Sequence, residues 1–347
     1  MRHSAKKVQS LKEENKINMG SKKGFMEMQF NWIFIIITGA LILILLAEII
    51  VNQKDASKLS ADVSILKNLD AILTNLESGA GTVNVVKMPK TRIEFRCDGY
   101  SVDGNLKQRN GMSIFSPSVL EADSIVLMAM SWNVPYKAAN AVYLVNPDTR
   151  YIFIGDSDFS RRIFWNMPSI VRADGYTHVG IVQDENDANI RIIFFNQNPE
   201  FPKSLYKMNN KFITALKING NEDTGTIEFL KAEDNKFIPQ GASYYIREGT
   251  LLGAIFSDNM EIYECVMENM FKKLNVVSQI YERRANTLRL MYERQECEKF
   301  YDTGSIKAIK EDSSLFSQSS ISHIEVNAKN LELQNRQAQL ISCPLIY

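Results

Sequence analysis

One apolar run near the start constrains this chain more than anything else in it. Residues 30–51 read FNWIFIIITGALILILLAEIIV, and nothing ionisable interrupts them between Ile33 and Ala47. A helix that crosses a bilayer needs about 20 such residues. The stretch 33–47 falls short, and Phe30, Trp32 and residues 49–51 complete the length. Glu48 lies near the exit, where a carboxylate reaches the headgroups; at the midplane a charge would cost about 3 kcal/mol. Trp32 stands where an interfacial aromatic belongs. A buried core helix would need polar punctuation sooner.

Flanking charge orients the span. Arg2, Lys6, Lys7, Lys12, Lys16, Lys22 and Lys23 precede it, whereas Lys54, Lys58 and Lys67 afterwards alternate with Asp55, Asp62 and Asp70. Excess Lys and Arg marks the cytoplasmic side, so the N-terminus is expected inside and the remainder exported. No A-x-A-like site follows the run, which argues against a cleaved secretory signal. Over the whole chain 40 basic residues balance 40 acidic ones, so no general field draws it to nucleic acid.

Directly before the span stand Lys22, Lys23, Gly24 and Phe25, then Met26, Glu27, Met28 and Gln29. This resembles the class III signal of type IV prepilin-like proteins, and the resemblance implies cleavage after Gly24. A start at Met19 would give the short leader MGSKKG. The sequence departs from the pattern at the fifth mature position, which is Gln29 rather than an acidic residue. The segment KKGFMEMQFNWIF, with the ending SCPLIY, is also similar to a group of archaeal membrane-anchored proteins. That likeness implies export and no particular activity.

The exported part reads as α+β. The organisation expected is a basic tail (1–29), a transmembrane helix in contact with lipid (30–51), an amphipathic stalk (52–81), a mixed sheet-rich region (82–258) and C-terminal helices packing on the sheet as a hairpin (259–347). In the stalk, Val63, Leu66, Leu69, Ile72, Leu73 and Leu76 recur at helical spacing over 61–77. Strands are expected at 82–86, 92–96, 112–115, 125–130, 141–145, 151–154, 179–182, 190–195, 212–218, 226–230, 243–246 and 251–256. AVYLV and IRIIFF are apolar throughout and suit central strands covered on both faces. A short helix over 158–166 would take Ser157 or Asp158 as cap. Helices follow at 259–295, opening on Asp258 or Asn259, and at 324–341, with a serine-rich loop over 312–322.

All four cysteines, Cys97, Cys265, Cys297 and Cys343, follow the span. An even number confined to an exported portion suits disulfides. A bridge from Cys343 to Cys297 or to Cys265 would tie the last helix to the long one. The chain-entropy model rates such a loop at roughly 4 kcal/mol. No C-x-x-C or histidine pair points to zinc.

For chemistry, Gly155, Asp156 and Ser157 follow an apolar strand and resemble the block of GDSL-type hydrolases, which implies Ser157 as nucleophile. The rest of that pattern is missing: the nearest histidine, His178, lies four residues after Asp174 and close to the serine. A turn or helix cap uses the same residues. Residues 184–189 are dense in oxygen ligands but lack the glutamate spacing of a calcium loop, which favours a solvated turn. Neither a metal nor a cofactor is implied. Trp132 and Trp165, with Phe159, Phe164 and Tyr176, fit either core or a ligand groove. The expected function is a membrane-anchored extracytoplasmic domain with a structural or binding role at the cell surface, within a pilin-like assembly or through protein partners or a second copy at the stalk. The rival is an envelope hydrolase using Ser157, Asp156 and His178.

Overall fold

The computed structural model describes residues 36–44, 47–48, 62–79, 81–181, 189–207 and 213–347. The chain divides into two compact units, Met1–Ala61 and Asp62–Tyr347. In the first unit residues 36–44 are helical, and Ile36, Ile37, Leu41, Ile42, Leu43 and Ile44 all stand exposed. Among the described residues no helix is long and apolar enough to cross a membrane. The tail, the signal-like segment 22–25, both ends of the expected span and most of 184–189 lie outside the described residues.

The second unit is α+β, and it contains two six-stranded sheets rather than one. The first is built from β1 (Thr82–Arg96), β2 (Gly99–Val102), β3 (Asn105–Gln108), β4 (Ile114–Phe115), β5 (Val119–Asn133) and β6 (Lys137–Val145), in the order β3-β2-β1-β5-β6-β4. Its pairs are antiparallel except β4 with β6. Alternation along β5 sends Ile125, Leu127 and Ala129 to one face and Val126, Met128 and Trp132 to the other, both buried, and a register shift against β1 brings Leu120 and Ala122 to the first face as well.

The second sheet holds β7 (Thr149–Ile154), β8 (Arg172–Tyr176), β9 (Asn189–Phe195), β10 (Ile213–Gly220), β11 (Thr224–Glu233) and β12 (Lys236–Ile246), ordered β12-β11-β10-β9-β7-β8. The four strands β8, β7, β9 and β10 run parallel, and β11 and β12 add an antiparallel ribbon. IRIIFF becomes β9, in the interior of this sheet with all six residues buried.

Helices cover these faces. Helix α1 (62–78) lays Leu69, Leu73 and Leu76 on the outer face of the first sheet, each burial contributing about 2 kcal/mol. Asp70 and Glu77 fasten it through Arg109, at 2.6 and 2.7 Å. Asn140 donates to the Glu77 carbonyl near its C-terminus at 2.9 Å. The expected stalk is therefore part of the domain from residue 62 onward, because its leucine stripe is consumed within the unit.

Between the sheets lie α3 (Arg247–Phe256) and the start of α4 (Met260–Met291), in one core with Trp132, Tyr143, Phe195 and Phe229. The run 251–256, expected as a strand, is the end of α3. A helix buried on every side has no polar face and hence no helical period to read. Gly253 permits the fit: a Cβ there would meet the Phe115 ring at 2.6 Å. The end of α3 is capped by Arg191 of β9, which donates to the carbonyls of Ala254 (3.0 Å), Ile255 (2.6 Å) and Ser257. Burial pushes that guanidinium down to about 10, with Asp258 and Tyr151 opposing the shift.

After α4, whose cap is Asn259 as expected, come α5 (Gly304–Asp312) and α6 (Gln318–Leu340). The hairpin is thus mediated by a third helix, with α5 packed against both α4 and α6. Residues 318–322 belong to α6 rather than to a loop: Ser317 caps it, accepting from Ser320 N at 3.2 Å. Residues 179–181 form a 3-10 turn where a strand was expected. Cys297 pairs with Cys343 and Cys97 with Cys265, at Cα separations of 5.7 and 5.6 Å. Cys265 therefore holds the β1–β2 turn to α4, and the alternative Cys265–Cys343 bridge does not form.

Candidate functional site

The parallel part of the second sheet creates the site. The chain leaves β7 for β8 on one side, then returns across β7 to β9. Where strand order reverses in this way, the carboxyl ends of the strands leave a crevice in which ligands bind in open α/β sheets. The reversal itself falls between β7 and β9; one strand over, at the same carboxyl edge, a cleft of about 300 Å³ is bordered by the ends of β7 and β8 and by α2 (Asp158–Trp165). That volume sits at the lower end of small-ligand sites.

Local sequence explains the shape. Gly155 makes the strand-to-helix turn, where a Cβ would come within 3.0–3.1 Å of Phe195 and Ser160 side-chain atoms. Ser157 then caps α2. Its Oγ accepts from Ser160 N at 3.1 Å, and its own N–H donates to Ser160 Oγ at 3.1 Å, closing a capping box. On β8, Gly175 leaves a hollow facing the Phe164 ring, 3.7 Å from where its Cβ would be. The far end of α2 is fastened by Asn166, which donates to Glu248 at 2.7 Å.

The walls are aromatic. Phe164 packs edge-on against Phe153 at 5.7 Å and against Trp165 at 5.6 Å, and Tyr176 lines the opposite side. Trp165 is 77% exposed, whereas Trp132 is 1% exposed. An indole left in water forgoes about 4 kcal/mol of burial. At the rim Arg161 donates to Asp156 at 3.0 Å and to Asp158 at 2.8 Å. The Asp158 hydrogen bond and charge hold that guanidinium above its ordinary value, and Asp156 adds to the effect.

Of the residues named from sequence, Asp156, Phe164, Trp165 and Tyr176 meet at this cleft, while Trp132 and Phe159 are core. Ser157 stands exposed beside the cleft with its hydroxyl oxygen used as a helix cap. His178 is exposed, and its Nδ1 pairs with Thr177 Oγ1 at 2.9 Å. No hydrogen bond joins Ser157 to His178 among the described residues. Gly175 and Arg161 carry the site equally, although no motif marks them. Their signal is positional: a glycine between Asp174 and Tyr176 on an edge strand, and an arginine three residues from an aspartate.

A second cavity of about 110 Å³ lies against Arg191, Tyr151, Thr214 and Asp258. Arg191 there serves mainly as the cap of α3, and Asp258 is engaged by Ser118 N at 2.6 Å and Ser118 Oγ at 3.2 Å. No family model, no curated protein and no solved structure matches this chain.

Proposed function

We propose that this chain is a membrane-anchored extracytoplasmic domain whose task is binding. The observation that carries the reading is the cleft at the ends of β7 and β8, with an exposed indole on a rigid helix and a charged pair beside it. A core tryptophan would be covered, and a solvated loop would not hold its aromatic residues in fixed edge-to-face contact. Anchorage is supported by the apolar run 30–51 and by six exposed aliphatic side chains within 36–44. Export is supported by the basic tail and by two cysteine pairs at bonding distance.

Processing after Gly24 would place Phe25 at the head of an apolar helix, as in a pilin-like subunit. The leucine face of α1 is already used within the domain, so partners in such an assembly would engage other surfaces. The hydrolase reading is the weaker one, since Ser157 has a structural task that the fold requires.

The test combines two observations on full-length protein isolated with thiols blocked at lysis. Mass spectrometry without reduction is expected to find peptides containing Cys97 and Cys265 joined, and likewise those containing Cys297 and Cys343. Four alkylated thiols would sink the extracytoplasmic assignment. N-terminal sequencing that begins at Phe25 supports the pilin-like route, and a start at Met1 or Met19 removes that part alone.

A further inference from the structure

We infer that the cleft takes a neutral pyranose, a single sugar unit of a glycan, stacked on Trp165 and hydrogen-bonded by Asp156 and Arg161. This rests on the binding role proposed above and names the ligand's class.

Three features of the cleft select it. A flat apolar platform stands in water: Trp165 is 77% exposed at the tip of α2, buttressed by Phe164. The C–H face of a pyranose ring is apolar and nearly flat, so it covers an indole while its hydroxyls remain at the edge. Next to the platform, Asp156 and Arg161 offer an acceptor and a donor side by side, paired at 3.0 Å. Arg161 spends two of its N–H groups on Asp156 Oδ1 and Asp158 Oδ1, out of five on a guanidinium. The Oδ2 atom of Asp156 and the remaining N–H groups can meet adjacent hydroxyls, each of which donates and accepts.

The third feature is charge. A cation seeking the indole face would approach Arg161, whose side chain is 55% exposed, and an anion seeking Arg161 would meet Asp156 at 66% and Asp158 at 98%. One guanidinium against two carboxylates leaves no free positive charge for an anion, while a neutral polyol uses donor and acceptor together; the choline control tests the cation that the remaining negative charge would attract. Gly175 supplies depth, since any side chain there would occupy the hollow beneath Phe164.

The test is saturation-transfer NMR on the full chain in detergent micelles. The probes are methyl glucoside, methyl galactoside, methyl mannoside and N-acetylglucosamine, with choline, acetate and uridine as cationic, anionic and planar controls. The expected result is transfer to at least one pyranoside, strongest at ring C–H protons. Trp165→Ala and Gly175→Leu should each weaken that binding at least about tenfold. Arg161→Met should weaken it without abolishing the stacking signal. Unchanged circular dichroism separates these losses from unfolding, which is not expected for an exposed indole and an edge-strand glycine. Trp165-dependent binding of a control with no pyranoside signal would overturn the sugar assignment and leave the binding role standing. Pyranoside binding indifferent to Trp165→Ala and Gly175→Leu would remove the cleft as its site. If no probe shows Trp165-dependent binding, the inference and the proposed role of the cleft both fall.

Discussion

Reducing the two disulfides should cost this domain most of its stability. The Cys97–Cys265 bridge closes a segment of 168 residues and the Cys297–Cys343 bridge one of 46. In the chain-entropy model these constraints on the unfolded chain are worth about 5 and about 4 kcal/mol at 25 °C. The two segments do not overlap in sequence, so the contributions add to about 9 kcal/mol. An ordinary domain has only about 5–15 kcal/mol in total. The assay is urea unfolding of the full chain with and without reductant, followed by fluorescence of the buried Trp132. The paired variant Cys97→Ser/Cys265→Ser should lose about 1 kcal/mol more than Cys297→Ser/Cys343→Ser, and wild type in reductant should match the quadruple variant. An unchanged midpoint, with thiols verified as reduced, would show that the bridges do not restrict the unfolded chain in this way. So would a larger loss from opening the shorter segment.

Three further outcomes follow from local geometry. Ser157→Ala removes the cap of α2 and should cost about 1 kcal/mol, while labelling by a fluorophosphonate probe stays at background; Ser157-dependent labelling would restore the hydrolase. Arg191→Met strips the end of α3 of its donors and leaves buried carbonyls unpaired, which should cost about 3 kcal/mol in urea unfolding without altering ligand binding. Asp70 is subject to burial, which raises its pKa, but hydrogen bonds and charge from Arg109 and Lys107 prevail and hold it below the ordinary 3.8. Its contribution is present above that value and lost as pH falls through the lower folded one, so Asp70→Asn should flatten the acid limb of a stability–pH curve.

Much of the fold was legible because period and punctuation agree there. IRIIFF and AVYLV read as covered strands and are, and the Ser157 and Asn259 caps follow from residue type and position. Elsewhere a stronger context prevailed. Residues 251–256 carry no helical period because α3 is enclosed on all sides, and apolar runs of that length suit either state. Two tight hairpins are marked in the sequence by turn residues. Asp103 and Gly104 turn β2 into β3 with φ of 45° and 89°, and Asp234 and Asn235 turn β11 into β12 with 50° and 57°. The serines of 317–322 suggest a loop by composition, yet Ser317 is a cap, and a cap is visible only when the helix behind it is known. At the cleft the aromatic residues could be named from sequence. Which of them face solvent could not, since Trp132 and Trp165 differ only in what the fold lays over them.

Under the proposed function, Asp62–Tyr347 would lie outside a membrane crossed by residues 30–51. Protease shaving of intact cells that make the full chain tests this most directly. Peptides from 62–347 are expected to be released by added protease without lysis, with the Cys97–Cys265 and Cys297–Cys343 peptides still joined, while peptides from 1–29 stay with the cells. Release of domain peptides only after lysis would contradict that placement.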